Sequence, residues 1–148
     1  MRRPELTGPA ALGVTRLCLA AIAVSMAPAG LHAALAPRSF FEGFPLGRGW
    51  IAAEGGAYDE HLVRDVGLLF VALIVVTVWA ALRGEFVVPV AVAWLIQGVG
   101  HLAYHVGHLD GLGGVDRSGL VVSLMANPTL ATTALLAAGT RPTSGVPE

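Results

Sequence analysis

The chain contains no lysine; all nine of its cations are arginine, set against ten acids for a net charge of −1. Such a balance leaves no basic surface for a polyanion, so no nucleic acid is expected as a partner. Cysteine is nearly absent as well. The single Cys18 lies inside an apolar run, which rules out a disulfide framework or a thiolate metal site. Charge of either sign is scarce, at 13% of residues against roughly 25% in soluble domains. There is no nucleophile elbow, no phosphate-binding glycine loop and no His-Glu-x-x-His motif. No catalytic residue is assigned on these grounds, and the reading leans away from an enzyme.

What the chain does have is long apolar runs with the charges between them. The 148 residues are 55% hydrophobic, enough for one unit and little more. Four runs are about as long as a helix that crosses a bilayer core, which takes about 20 residues. They cover about 17–36, 62–82, 86–108 and 118–138. Apolarity all round, rather than on one stripe, separates them from surface helices of a soluble domain. Lipid offers backbone groups no hydrogen-bond partner, so such runs must be helical. The expected fold is therefore all-α: a single integral membrane domain, a four-helix bundle of antiparallel transmembrane helices. The first run also resembles a secretory signal peptide. Pro37 directly after the Ala34–Ala36 motif and the full spanning length of the run argue against cleavage.

The connections differ in kind. Arg83-Gly84-Glu85 is a tight turn, which makes spans two and three antiparallel neighbours. The loop 37–61 carries Phe40, Phe41, Phe44 and Trp50, an aromatic density that suits the headgroup layer. The glycine-rich turn 110–116 leads to span four, with Asp116 expected to cap it. Pro28 and Pro128 are expected to kink their helices, while Gly98 and Gly100 allow a neighbouring helix to come close. The tail 139–148 is polar and loose. Arginines lean five to four toward the end holding both termini, so the termini are expected in the cytoplasm of a multi-pass cell-membrane protein.

An even number of spans puts every histidine on one membrane face, the outer face in that orientation. Three of the five fall in "QGVGHLAYHVGHLD", residues 97–110. At about 100° per residue, Trp94, Gln97, His101, His105 and His108 form one stripe. On span two, "DEHLVRD" sets Glu60 four residues before Arg64 and His61 four before Asp65. Ionisable groups at a membrane boundary normally face a partner or a water-filled cavity. Imidazoles with a carboxylate are ordinary transition-metal ligands, and facing imidazoles can also hold haem. The candidate ligands are His61, Asp65, His101 and His105, supported by Glu60, Arg64, His108 and Asp110. His32 is an alternative partner for haem. The leading expectation is a metal- or haem-binding protein with a redox-associated role. The competing one is a structural or accessory membrane subunit whose cluster is a hydrogen-bonded network, as a homo-oligomer or beside a partner subunit. A small transporter is a third reading, opposed by the lack of polar residues toward the other face.

The stretches "FFEGFPLGRGW", "YDEHLVRDVG" and "HLAYHVGHLD" together resemble a group of small actinobacterial four-helix membrane proteins, loosely similar to DoxX-like proteins. The resemblance runs from about Arg38 through span four. It implies the four-helix architecture and the positions Glu60, His61, Arg64, Asp65, His101, His105, His108 and Asp110. The group's pattern has Asn where this chain has Asp59. The resemblance implies no particular reaction.

Overall fold

A computed structural model describes residues 8–139. The described residues form six helices and no strand: α1 (Pro9–Leu35), α2 (Pro37–Gly43), α3 (Trp50–Ala53), α4 (Glu60–Arg83), α5 (Val87–Val106) and α6 (Gly114–Gly139). The four long ones, α1, α4, α5 and α6, are each long and apolar enough to cross a membrane. Their bounds differ from the apolar runs mainly at α1, which starts eight residues earlier. Pro9 suits a first helical turn, where its missing N–H would have no partner anyway. Both internal prolines, Pro28 and Pro128, lie inside continuous helices. Arg2, Arg3 and Arg141, which carried much of the arginine bias, lie outside the described residues.

Helix α1 is the central element and packs along both α4 and α6, whereas α5 packs mainly along α6. Helices α4 and α5 touch only lightly despite the short turn between them. Two hydrogen bonds fix how α1 and α4 pass. The Arg16 guanidinium donates to the Leu82 carbonyl at 3.2 Å, and Arg64 donates to the Ala34 carbonyl at 2.8 Å. The start of each helix is thus tied to the end of the other.

Small residues allow this closeness. A Cβ at Gly67 would lie 2.3 Å from the Ala34 nitrogen, so the two backbones meet where only hydrogen fits. Gly98 does the same for α5 and α6, its missing Cβ leaving room for the Pro128 ring at 2.9 Å. Gly100 faces open space and has no such part.

The buried set follows the same logic. It is mostly Ala, joined by Leu19, Ile22 and the fully buried Trp94. Large apolar side chains point outward instead, among them Leu17, Val24, Leu69, Leu82, Ile96 and Leu136, each about 70% exposed or more. Soluble monomers rarely leave apolar area of that extent facing water. Lipid-facing helices do, because van der Waals fit of small residues holds them together.

Polar groups inside the helices are handled locally. Trp94 Nε1 donates to Thr77 Oγ1 at 2.7 Å and links α5 to α4. The Thr77 and Thr15 hydroxyls donate to carbonyls four residues earlier. Asn127 donates to Gln97 at 3.2 Å, and its own Oδ1 has no hydrogen-bond partner among the described residues.

Candidate functional site

The site starts from the long loop. Helix α2 follows α1 after a single residue, because Pro37 opens a new helix rather than continuing the old one. The chain then turns through Gly47 and Gly49, both at positive φ, into the single turn α3. This path packs α3 on α2 and brings Trp50 to the start of α6 and Glu54, just past α3, to the end of α5.

Two sets of side chains hold it there. The first joins the loop to α6, where Arg48 Nε and Trp50 Nε1 both donate to Asp116 Oδ1, the tryptophan at 2.8 Å. The hydrogen bond and the charge of Asp116 raise the Arg48 pKa above the ordinary arginine value. Asp116 was expected to cap the fourth helix. It lies instead in the first turn of α6, which begins at Gly114, and its carboxylate serves the loop.

The second set joins the loop to α5. Glu54 Oε1 and His105 Nδ1 share a hydrogen bond, with side-chain exposures of 7% and 11%. With Glu54 ionised, its oxygens only accept, so Nδ1 carries the proton of this bond. The His101 ring stands edge-on to His105 with centroids 4.4 Å apart. Tyr104 stacks on His108 at 4.2 Å, and the His108 ring meets the Tyr104 carbonyl at 2.7 Å.

Helix α4 carries a separate set. Its Asp59 caps the helix by accepting from the Leu62 N–H at 3.1 Å. His61 pairs with Asp65 at 3.2 Å and Arg64 with Glu60 at 2.8 Å. Arg64 is the link inward, through its bond to Ala34. The His61–Asp65 pair is largely exposed, at 88% and 53%.

The expected ligands therefore stand as two pairs, His61 with Asp65 on α4 and His101 with His105 on α5. Among the described residues, no group of three or more His, Cys, Asp or Glu side chains has an arrangement fit for a metal ion. The expected supports divide likewise: Glu60 and Arg64 with the first pair, His108 beside Tyr104. Asp110 is an exposed residue of the α5–α6 turn.

Sequence reasoning missed Glu54, Arg48 and Trp50. The first is a lone acid before Gly55-Gly56 and follows no helical spacing. Its partner is 51 residues away, a separation that no local pattern reveals. The one available signal was that α5 carries a deep histidine with no acid at three or four residues' distance. No protein-family model, curated protein or solved structure matches the chain.

Proposed function

We propose that this chain is a multi-pass cell-membrane protein, an antiparallel four-helix bundle, acting as a structural or accessory membrane subunit. Its histidine–carboxylate end is a hydrogen-bonded network that fastens the long loop over the helix ends. The outward-facing large residues and inward-facing small ones support membrane insertion. The observation that carries the functional reading is the Glu54–His105 pair. A nearly buried histidine whose proton goes to a loop carboxylate is engaged in fastening, and the Arg48–Asp116–Trp50 contact fastens the same loop to α6. The arginine bias of five to four favours termini in the cytoplasm and, with them there, this network on the outer face. A resemblance of the "FFEGFPLGRGW", "YDEHLVRDVG" and "HLAYHVGHLD" stretches to small four-helix membrane proteins, only loosely DoxX-like, would fit the same architecture, with a homo-oligomer or a partner subunit as the setting.

One observation favours a metal or haem as the second reading. A carboxylate holding Nδ1–H is also the usual way a metal-binding histidine is oriented, which leaves Nε2 of His105 free beside His101. His61 and Asp65 would then have to be drawn in from α4.

A single experiment separates the two readings: elemental analysis and an absorption spectrum of detergent-purified protein, beside a His101→Ala/His105→Ala variant. The network reading expects no stoichiometric metal or Soret band, and a variant that melts at lower temperature. Near-stoichiometric metal or haem, lost in a variant that stays folded, would overturn it in favour of the cofactor.

A further inference from the structure

A groove of about 540 Å³ opens at the junction of α1 and α2, away from the loop network. Pro28 and His32 of α1 line it, with Ser39 and Phe44 of the α2 segment and Pro45 and Leu46 beyond. Among the side chains that line it, only one couple is polar. His32 Nε2 lies 3.0 Å from Ser39 Oγ, and with the ring donating, the serine hydroxyl keeps a proton of its own to offer. The Phe40 and Phe44 rings stand edge-on to His32 at 5.6 and 6.4 Å and hold its plane.

Depth and charge then define the occupant. Helix α1 has 27 residues and is about 40 Å long, while a bilayer's hydrocarbon core is about 30 Å thick. His32 lies one turn from the end of α1, which on the membrane reading is the boundary between core and headgroups, with Pro28 one turn deeper at the level of the acyl chains. At that boundary the bilayer supplies the ester carbonyls of its glycerolipids. No cation lines the groove. The two arginines next to lining residues in the chain are committed elsewhere, Arg38 to Glu42 at 2.9 Å and to the face of Tyr58 at 4.5 Å, and Arg48 to Asp116. A phosphate would find no counter-charge there, but a neutral carbonyl finds the one donor it needs. Leu46, at 99% exposure, is the apolar lip of the groove.

We infer that this groove is a lipid site in which the His32–Ser39 couple donates to a glycerolipid acyl-ester carbonyl, with the acyl chain running down past Pro28. The inference rests on the membrane reading above and is independent of the histidine network.

Ester and ether lipids with the same headgroup differ only in that carbonyl, so they provide the test. The full chain is reconstituted in nanodiscs made from equal parts of a diester phosphatidylglycerol and its diether analogue. It is then released into the gas phase, and the retained lipid is counted by native mass spectrometry. One neutral hydrogen bond predicts a preference for the ester of roughly 2- to 10-fold. Ser39→Ala abolishes that preference, and His32→Gln, which keeps a donor, retains part of it. The same preference is expected with phosphatidylcholine in both arms, because the groove reads the carbonyl and not the headgroup. Equal retention of ester and ether by the wild-type chain overturns the inference. So does an ester preference that survives in Ser39→Ala, or retention that follows headgroup charge alone. A chain that fails to enter nanodiscs at all overturns the membrane reading and this site with it.

Discussion

His61–Asp65 on α4 and His105–Glu54 between α5 and the loop are built from nearly the same side chains. The first pair is 88% and 53% exposed and spans one helical turn; the second is 11% and 7% exposed and joins residues 51 positions apart. The difference lies in what surrounds each pair. Where water reaches both groups, the bond formed in the fold replaces bonds to water that the separated groups would make, and little is gained. Where the loop shuts water out, each partner depends on the other to be satisfied at all. The buried pair can therefore hold a loop in place, and the exposed pair cannot.

The strongest way to break this comparison is to remove the carboxylate from the buried pair. Glu54→Ala leaves His105 Nδ1–H without its acceptor under the loop, at a cost of about 1–3 kcal/mol. We expect a thermal melt in detergent to fall by several degrees, and protease cutting within 44–58 to speed up. The double substitution Glu54→Ala/His105→Ala should recover part of the loss, because the unsatisfied partner is gone as well. A Glu54→Ala variant that melts like the wild type would mean that the pair does not hold the loop.

The same contrast shows what a sequence can and cannot reveal here. The four long helices were legible because an apolar run of spanning length needs no knowledge of its neighbours. His61–Asp65 and Glu60–Arg64 were legible because helical spacing alone brings residues four apart together. The stripe through Trp94, Gln97, His101, His105 and His108 was legible as a stripe, but not as an environment. Trp94 is fully buried, His105 is nearly so, and His101 and His108 are exposed. Depth around a helix depends on which neighbour packs there. The short Arg83–Glu85 turn suggested α4 as that neighbour, yet α6 is the main one. Glu54 and Arg48 were out of reach for a similar reason. Their partners are set by how an irregular loop folds back, and irregular chain has no period to read.

The second fastening of the loop sharpens the comparison from the middle. Arg48 and Asp116 are 47% and 28% exposed, between the two histidine pairs, and Trp50 supports the contact from the drier side. Replacing Asp116 with Asn keeps an acceptor for Trp50 and removes the charge that faces Arg48. An ion pair this open to water contributes little and weakens with salt. Asp116→Asn should therefore cost less than Glu54→Ala. Its effect should also shrink as salt is raised, which the buried pair's effect should not do. Melting both variants at low and high ionic strength checks this order, and an Asp116→Asn loss that ignores salt would show that hydrogen bonding, not charge, fastens this side.

The smallest effect belongs to Asp65→Ala. Helical ion pairs at this spacing contribute about 0.2–0.5 kcal/mol in isolated helices. Alanine also has a better helix propensity than aspartate, by an amount of similar size. The two contributions oppose each other, so the melt should stay within about 1 °C of the wild type, a shift of a few tenths of a kcal/mol at most. This near-zero result is informative because it holds only if Asp65 serves nothing beyond His61. If His61 and Asp65 belonged to a cofactor site shared with α5, removing the acid would reach His101 and His105 as well. A drop comparable to that of Glu54→Ala would then appear in a residue that is more than half exposed. The size of the Asp65→Ala shift relative to the Glu54→Ala shift thus reports whether α4 and α5 carry one site or two separate pairs. Two separate pairs is the arrangement in which only the buried one matters to the fold.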